Sequence, residues 1–162
     1  MGLIIPREAF RRMRDELIGS PQIVFTNGCF DLLHPGHLRL LHQARALGDT
    51  LVVGLNSDDS VRRLKGPSRP VTGEMDRARA LASLLVVDFV IIFGEDLPIE
   101  TIRAVRPSHH VKGGDYTIAD LPEAPVVEEL GGQVVLLPIQ AQYSTTGTLT
   151  RIAECPPNEG DR

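Results

Sequence analysis

Short runs of aliphatic and β-branched residues alternate with segments of helical spacing along this chain, and that alternation limits its fold more than any other feature. Strands are expected at Gln22 to Thr26, Leu51 to Leu55, Asp88 to Phe93, His109 to Lys112 and Val134 to Pro138. Between them lie helical patterns. Gly36 to Leu47 places Leu38, Leu41, Ala44 and Leu47 on one face, with Gly48 as its stop. Glu74 to Leu85 turns Ala80, Leu81, Leu84 and Leu85 inward. Pro98 to Val105, Leu121 to Leu130 and Thr145 to Ala153 follow. Strand and helix in strict alternation fold as right-handed βαβ units. The expected architecture is α/β: a Rossmann-like, doubly wound, parallel five-stranded sheet with helices on both faces. Residues 1–21 read as an N-terminal helix and lead-in, 22–153 as the main domain, and 154–162 as a frayed polar tail.

A length of 162 residues fits one such domain and needs no staples for its core. A net charge of −4 argues against a general nucleic-acid binder, whose affinity rests on many Lys and Arg contacts to phosphate. Cys29 and Cys155 stand far apart and suggest neither a disulfide framework nor a zinc site. Charges interrupt Met1 to Arg14 where a signal peptide would be apolar, and no apolar run approaches the ~20 residues of a membrane span. A cytoplasmic protein is expected.

In doubly wound sheets the ligand lies beyond the carboxyl ends of the strands, where strand order reverses. The first strand runs directly into Thr26-Asn27-Gly28-Cys29-Phe30-Asp31-Leu32-Leu33-His34-Pro35-Gly36-His37, where a helix begins. A helix N-terminus offers unpaired N–H groups and a positive dipole end, which suit phosphate. Two imidazoles beside it can donate hydrogen bonds to phosphoryl oxygens. Such a site stabilises charge on a transferring phosphoryl group without a protein nucleophile. A His-x-x-His pair can also bind zinc, but only with further ligands. His109 and His110 match by type, yet adjacent strand residues point to opposite faces. No G-x-G-x-x-G is present for a dinucleotide.

The stretch Thr26 to His37 resembles the signature of the cytidylyltransferase-like nucleotidyltransferases, whose hallmark is H-x-G-H. The longer string is similar to that of the adenylyltransferase domain of bacterial ADP-heptose synthases. Leu51 to Asp58, Arg63 to Val71, Val111 to Tyr116 and Ser144 to Thr146 agree, so the resemblance spans residues 22 to 153.

The resemblance implies transfer of AMP from ATP to a sugar 1-phosphate, D-glycero-D-manno-heptose 1-phosphate being the first expectation. His34, His37, Lys65 and Arg77 would be catalytic, touching the phosphates. Lys65 would sit on a flexible basic loop that closes over the triphosphate. Thr26, Asn27, Gly28, Cys29, Phe30, Gly36, Ser144, Thr145 and Thr146 would meet the nucleotide. Asp31, Arg69, Lys112, Gly113 and Asp115 would meet the sugar phosphate, with two roles open for Asp31: orienting substrate or bracing the loop. Mg²⁺ would bridge the triphosphate, held largely by substrate oxygens, and no metal ligands are assigned in the protein. A homodimer is expected from the resemblance, with neither a nucleic acid nor a membrane as partner. The length leaves no room for the sugar kinase to which the resembling enzyme is often fused, so a separate protein is expected to supply the sugar 1-phosphate.

Ile139 stands where the related glycerol-phosphate cytidylyltransferases carry an arginine that holds cytosine, which favours ATP over CTP. Ala141-Gln142 and Gly147 depart from the heptose pattern and leave the sugar open. The competing readings are a cytidylyltransferase acting on glycerol 3-phosphate, transfer from ATP to phosphopantetheine, a non-catalytic nucleotide-binding module, and a zinc protein.

Overall fold

A computed structural model of the chain describes residues 1–16, 21–115, 117–138 and 145–154. Six parallel strands form one sheet in the order β1-β4-β3-β2-β5-β6. They are β1 (Leu3–Ile4), β2 (Ile23–Gly28), β3 (Thr50–Asn56), β4 (Phe89–Phe93), β5 (His109–Gly113) and β6 (Gln133–Leu137). The helices are α1 (Arg7–Glu16), α2 (Pro35–Arg45), α3 (Asp58–Lys65), α4 (Glu74–Ala82), α5 (Ile99–Val105), α6 (Ala124–Glu129) and α7 (Thr145–Ala153), with a 3-10 turn at Ile118–Asp120. The parallel doubly wound sheet expected from the alternation is present. Its sixth strand, β1, has two residues and pairs Leu3 with Phe89 and Ile4 with Val90, too short to leave a periodic signature.

The period of two in the strands divides the core between the two faces. Val24, Leu51, Val53, Leu55 and Val90 point to one side, under Leu41 and Ala44 of α2 and Ala78, Leu81 and Ala82 of α4. Ile23, Phe25, Val52 and Ile91 point to the other, under Phe10 of α1, Ile102 and Val105 of α5 and Val127 of α6.

Two helical faces differ from the sequence expectation. In α4 the buried residues are Arg77, Ala78, Leu81 and Ala82; Ala80 is exposed, and Leu85 is 94% exposed because the helix ends at Ala82. In α2, Leu41 and Ala44 are buried, while Leu38 is 39% exposed. Among the described residues, no helix is long and apolar enough to cross a membrane.

Strand β2 is the hinge of the topology. The chain goes from β2 to β3 and β4 on one side, then crosses back through α5 to β5 on the other. The crevice between the ends of β2 and β5 is therefore the switch point.

Candidate active site

A cleft of about 400 Å³ opens at that switch point. Asn27 and Gly28 end β2 in it, Asn56 ends β3, and Lys112 and Gly113 end β5. Cys29 and Phe30 come from the following loop, His37 and Leu40 from α2, and Leu64 and Lys65 from α3. The topology thus brings together residues scattered over almost ninety positions.

His34 is the N-cap of α2, and its Nδ1 accepts a hydrogen bond from the His37 backbone N–H at 3.3 Å. A neutral ring whose Nδ1 accepts must carry its proton on Nε2. Pro35 fits the first turn, where it has no N–H to lose. The two imidazoles stack with centroids 3.7 Å apart and planes 17° from parallel. Phe30 lies against His37 at 5.1 Å and holds φ at 43°, a left-handed conformation costly for a bulky residue and found at sites the surrounding fold over-determines. Burial pushes the His37 pKa down to about 4, helped by the nearby His34 and Lys65, while the backbone of Leu32 pulls the other way. Burial lowers His34 as well. Near pH 7 both rings are neutral N–H donors.

Lys65 does not sit on a loop. It ends α3, an eight-residue helix with Ser57 as N-cap, Asp58 and Asp59 in its first turn, and Gly66 at φ 97° as its stop. The sequence reading of a flexible loop is corrected on this point, since Ser57-Asp58-Asp59 is a start signal ahead of the basic run.

Arg77 and Asp31 are internal struts. The Arg77 guanidinium donates to the carbonyls of Thr72, Cys29 and Asn56 and pairs with Asp58 at 2.7 Å. Its side chain has no exposed surface and is not on the cleft wall. Asp31 accepts from the N–H groups of Val71 and Thr72 at 2.8 and 3.1 Å and pairs with Arg69 at 3.1 Å. Together they fasten the Cys29–Asp31 loop to the segment before α4.

Of the remaining candidates, Thr26 is buried in β2, Gly36 lies in the first turn of α2, and Asp115 is exposed beyond β5. Thr145 is buried at the start of α7, while Ser144 and the side chain of Thr146 lie outside the described residues. Burial raises the Cys29 thiol, so it stays protonated. Among the described residues no cluster of three metal-ligating side chains includes the two histidines.

Two residues absent from the sequence assignment join the site from below. His110 Nε2 lies 3.2 Å from Asn27 Oδ1, and Glu123 pairs with Lys112 at 2.9 Å. Nothing in the spacing of Glu123 indicated this, because the link forms across the β5–α6 connection.

A doubly wound sheet whose first crossover helix opens on stacked imidazoles, one of them lining a cleft with a lysine, is the arrangement expected of the nucleotidyltransferase class. The chain belongs to the cytidylyltransferase-like family, whose model matches residues 25–147. It is 55% identical over 130 residues to the bifunctional protein HldE of Hyphomonas neptunium, covering 80% of this chain and 27% of that protein. It is 54% identical over 150 residues to the HldE of Paramagnetospirillum magneticum, covering 92% of this chain and 31% of that one. The chain therefore spans under a third of the length of these relatives. Among solved structures it resembles the lipopolysaccharide core biosynthesis protein of Thermoplasma volcanium, with 31% identity, TM-score 0.61, and 74% and 97% of the two chains covered. A pantoate-beta-alanine ligase from Francisella tularensis, at 16% identity and TM-score 0.60 over 88% of this chain and 69% of that one, shares the fold.

Proposed function

We propose that the chain transfers AMP from ATP to a sugar 1-phosphate, D-glycero-D-manno-heptose 1-phosphate by first choice, giving an ADP-sugar and pyrophosphate. The observation that carries this reading is the stacked, neutral His34–His37 pair at the N-terminus of α2, whose His37 lines the same cleft as Lys65. The long match to HldE proteins supports the choice of sugar.

In this reaction an oxygen of the acceptor phosphate forms a bond to the α-phosphorus of ATP. The bond from that phosphorus to the bridging oxygen breaks, and pyrophosphate leaves with the electron pair. The attacking phosphate is already ionised near pH 7, so no strong base is required. The imidazole N–H groups and the helix N-terminus hold the charge that gathers on the transferring group, and Lys65 offsets charge on the departing pyrophosphate. Positioning completes the effect. Mg²⁺ would arrive on the triphosphate oxygens and add a divalent counter-charge there.

The test is a matrix of ATP and CTP against heptose 1-phosphate, glycerol 3-phosphate and phosphopantetheine, read as pyrophosphate release. Turnover with ATP and the sugar phosphate is the expected result. Turnover only with CTP and glycerol 3-phosphate, or nucleotide binding without release for every acceptor, would overturn it.

A further inference from the structure

Beneath the cleft, on the α5–α6 side of the sheet, lies a polar chain that the phosphate chemistry above does not use. Lys112 Nζ is 3.3 Å from Asn27 Oδ1 and 2.9 Å from Glu123 Oε1. His110 Nε2 is 3.2 Å from the same Asn27 oxygen. His110 is fully buried, its ring edge-on to Phe25 at 5.3 Å, and Glu123 is 2% exposed.

The chemistry of the groups fixes every proton in this chain. An ammonium only donates, so the oxygen of the Asn27 amide, and not its nitrogen, faces Lys112. That oxygen accepts, so His110 must donate to it from Nε2. The His110 Nδ1 is then bare, and it is buried with no hydrogen-bond partner among the described residues. Protonating it would bury an unpaired N–H, which agrees with a pKa pushed down to about 4 by burial and by Lys112. With its oxygen doubly engaged, Asn27 has only its two N–H bonds left for the cleft it lines. Lys112 spends one donor on Glu123 and one on Asn27, which leaves a third.

We propose that His110 and Glu123 are positioning residues that aim the Asn27 amide and the Lys112 ammonium at oxygen atoms of the sugar phosphate acceptor. The inference rests on the sugar-phosphate reading above. Two points favour the acceptor over ATP. Asn27 and Lys112 end the two strands that flank the switch point, whereas His37 and Lys65 reach the cleft from α2 and α3. Glu123 also neutralises Lys112, so the site presents directed N–H donors with little net charge. Such a set reads hydroxyl and single phosphate oxygens better than it holds a triphosphate.

The experiment is calorimetric binding of ATP alone and of heptose 1-phosphate alone to the wild type and to His110→Leu, His110→Gln and Glu123→Ala, each first shown to be folded by circular dichroism. His110→Leu keeps the apolar contact with Phe25 and removes the donor; His110→Gln restores a donor. The expected result is about tenfold weaker sugar phosphate binding in His110→Leu and Glu123→Ala, with ATP binding changed less than about twofold. His110→Gln should recover most of the loss. Equal weakening of both ligands, unchanged binding of both, no recovery in His110→Gln, or no sugar phosphate binding by the wild type overturns the proposal. Binding without pyrophosphate release in the turnover assay would instead sink the catalytic reading and leave this one standing.

Discussion

Asp31 and Arg69 meet as an ion pair at 3.1 Å with both side chains almost wholly removed from solvent. The same carboxylate also takes the N–H groups of Val71 and Thr72, so one side chain ties the loop after β2 to the segment before α4. Removing one member of a buried pair leaves the other charge without compensation. Asp31→Ala should therefore cost about 3 kcal/mol in urea unfolding, and Asp31→Asn, which keeps an acceptor oxygen, distinctly less. Unchanged stability with a raised KM for the sugar phosphate would return Asp31 to a substrate-binding role.

Arg77 allows a sharper separation of roles. Its forked donors satisfy three carbonyls and Asp58 at once, which a lysine ammonium cannot reproduce. Arg77→Lys should lower stability by about 2 kcal/mol or more and reduce kcat through the displaced Cys29 loop. If Arg77 touched phosphate directly, the melting temperature would hold while the KM for ATP rose.

The imidazole pair should behave as transition-state donors. His34→Ala and His37→Ala are expected to lower kcat by about 10²–10³ with modest changes in KM, the scale seen when a preorganised donor is removed. Full turnover in both variants would refute the proposed chemistry. Lys65→Ala should also raise the His37 pKa, because the ammonium is one of the groups holding it down; proton NMR titration of the ring reads that directly.

Acid should destabilise the fold through two imidazole rings, one half-buried and one fully buried. His37 and His110 have folded-state pKa values near 4, below the ordinary 6.5. Between those values the unfolded chain binds more protons than the folded one, so stability rises with pH across the window and is flat above it. Stability falls as pH drops from 6.5 toward 4, at up to about 1.4 kcal/mol per pH unit for each ring. Urea midpoints for the wild type and His110→Leu should show a shallower slope in the variant; equal slopes would rule out the His110 contribution.

The parallel sheet and the first crossover were legible because their signals are local. Aliphatic runs mark β2 to β6, and Pro35-Gly36 between two histidines marks the start of α2. The strand β1 escaped because two residues carry no period. Helix α3 escaped because Arg62, Arg63, Lys65 and the following prolines dominate its composition, although Ser57 caps it. The least legible features were pairings across long separations. Arg77 in the sequence looks like any arginine near a phosphate site; only its distance to Cys29 and Asn56 shows that it is a brace. His110 entered the sequence reading only as a metal-ligand type, since its partner Asn27 lies eighty-three positions away.

Gly54, in the middle of β3, takes no part in any of these contacts through a side chain, and that is its contribution. A methyl group there would stand 2.6 Å from the ring of Phe25 and 3.2 Å from Cβ of Asn27. Phe25 in turn props the ring of His110. One added carbon on the neighbouring strand would thus jostle three side chains in sequence, making Gly54→Ala a remote dial on the aim of the Asn27 amide.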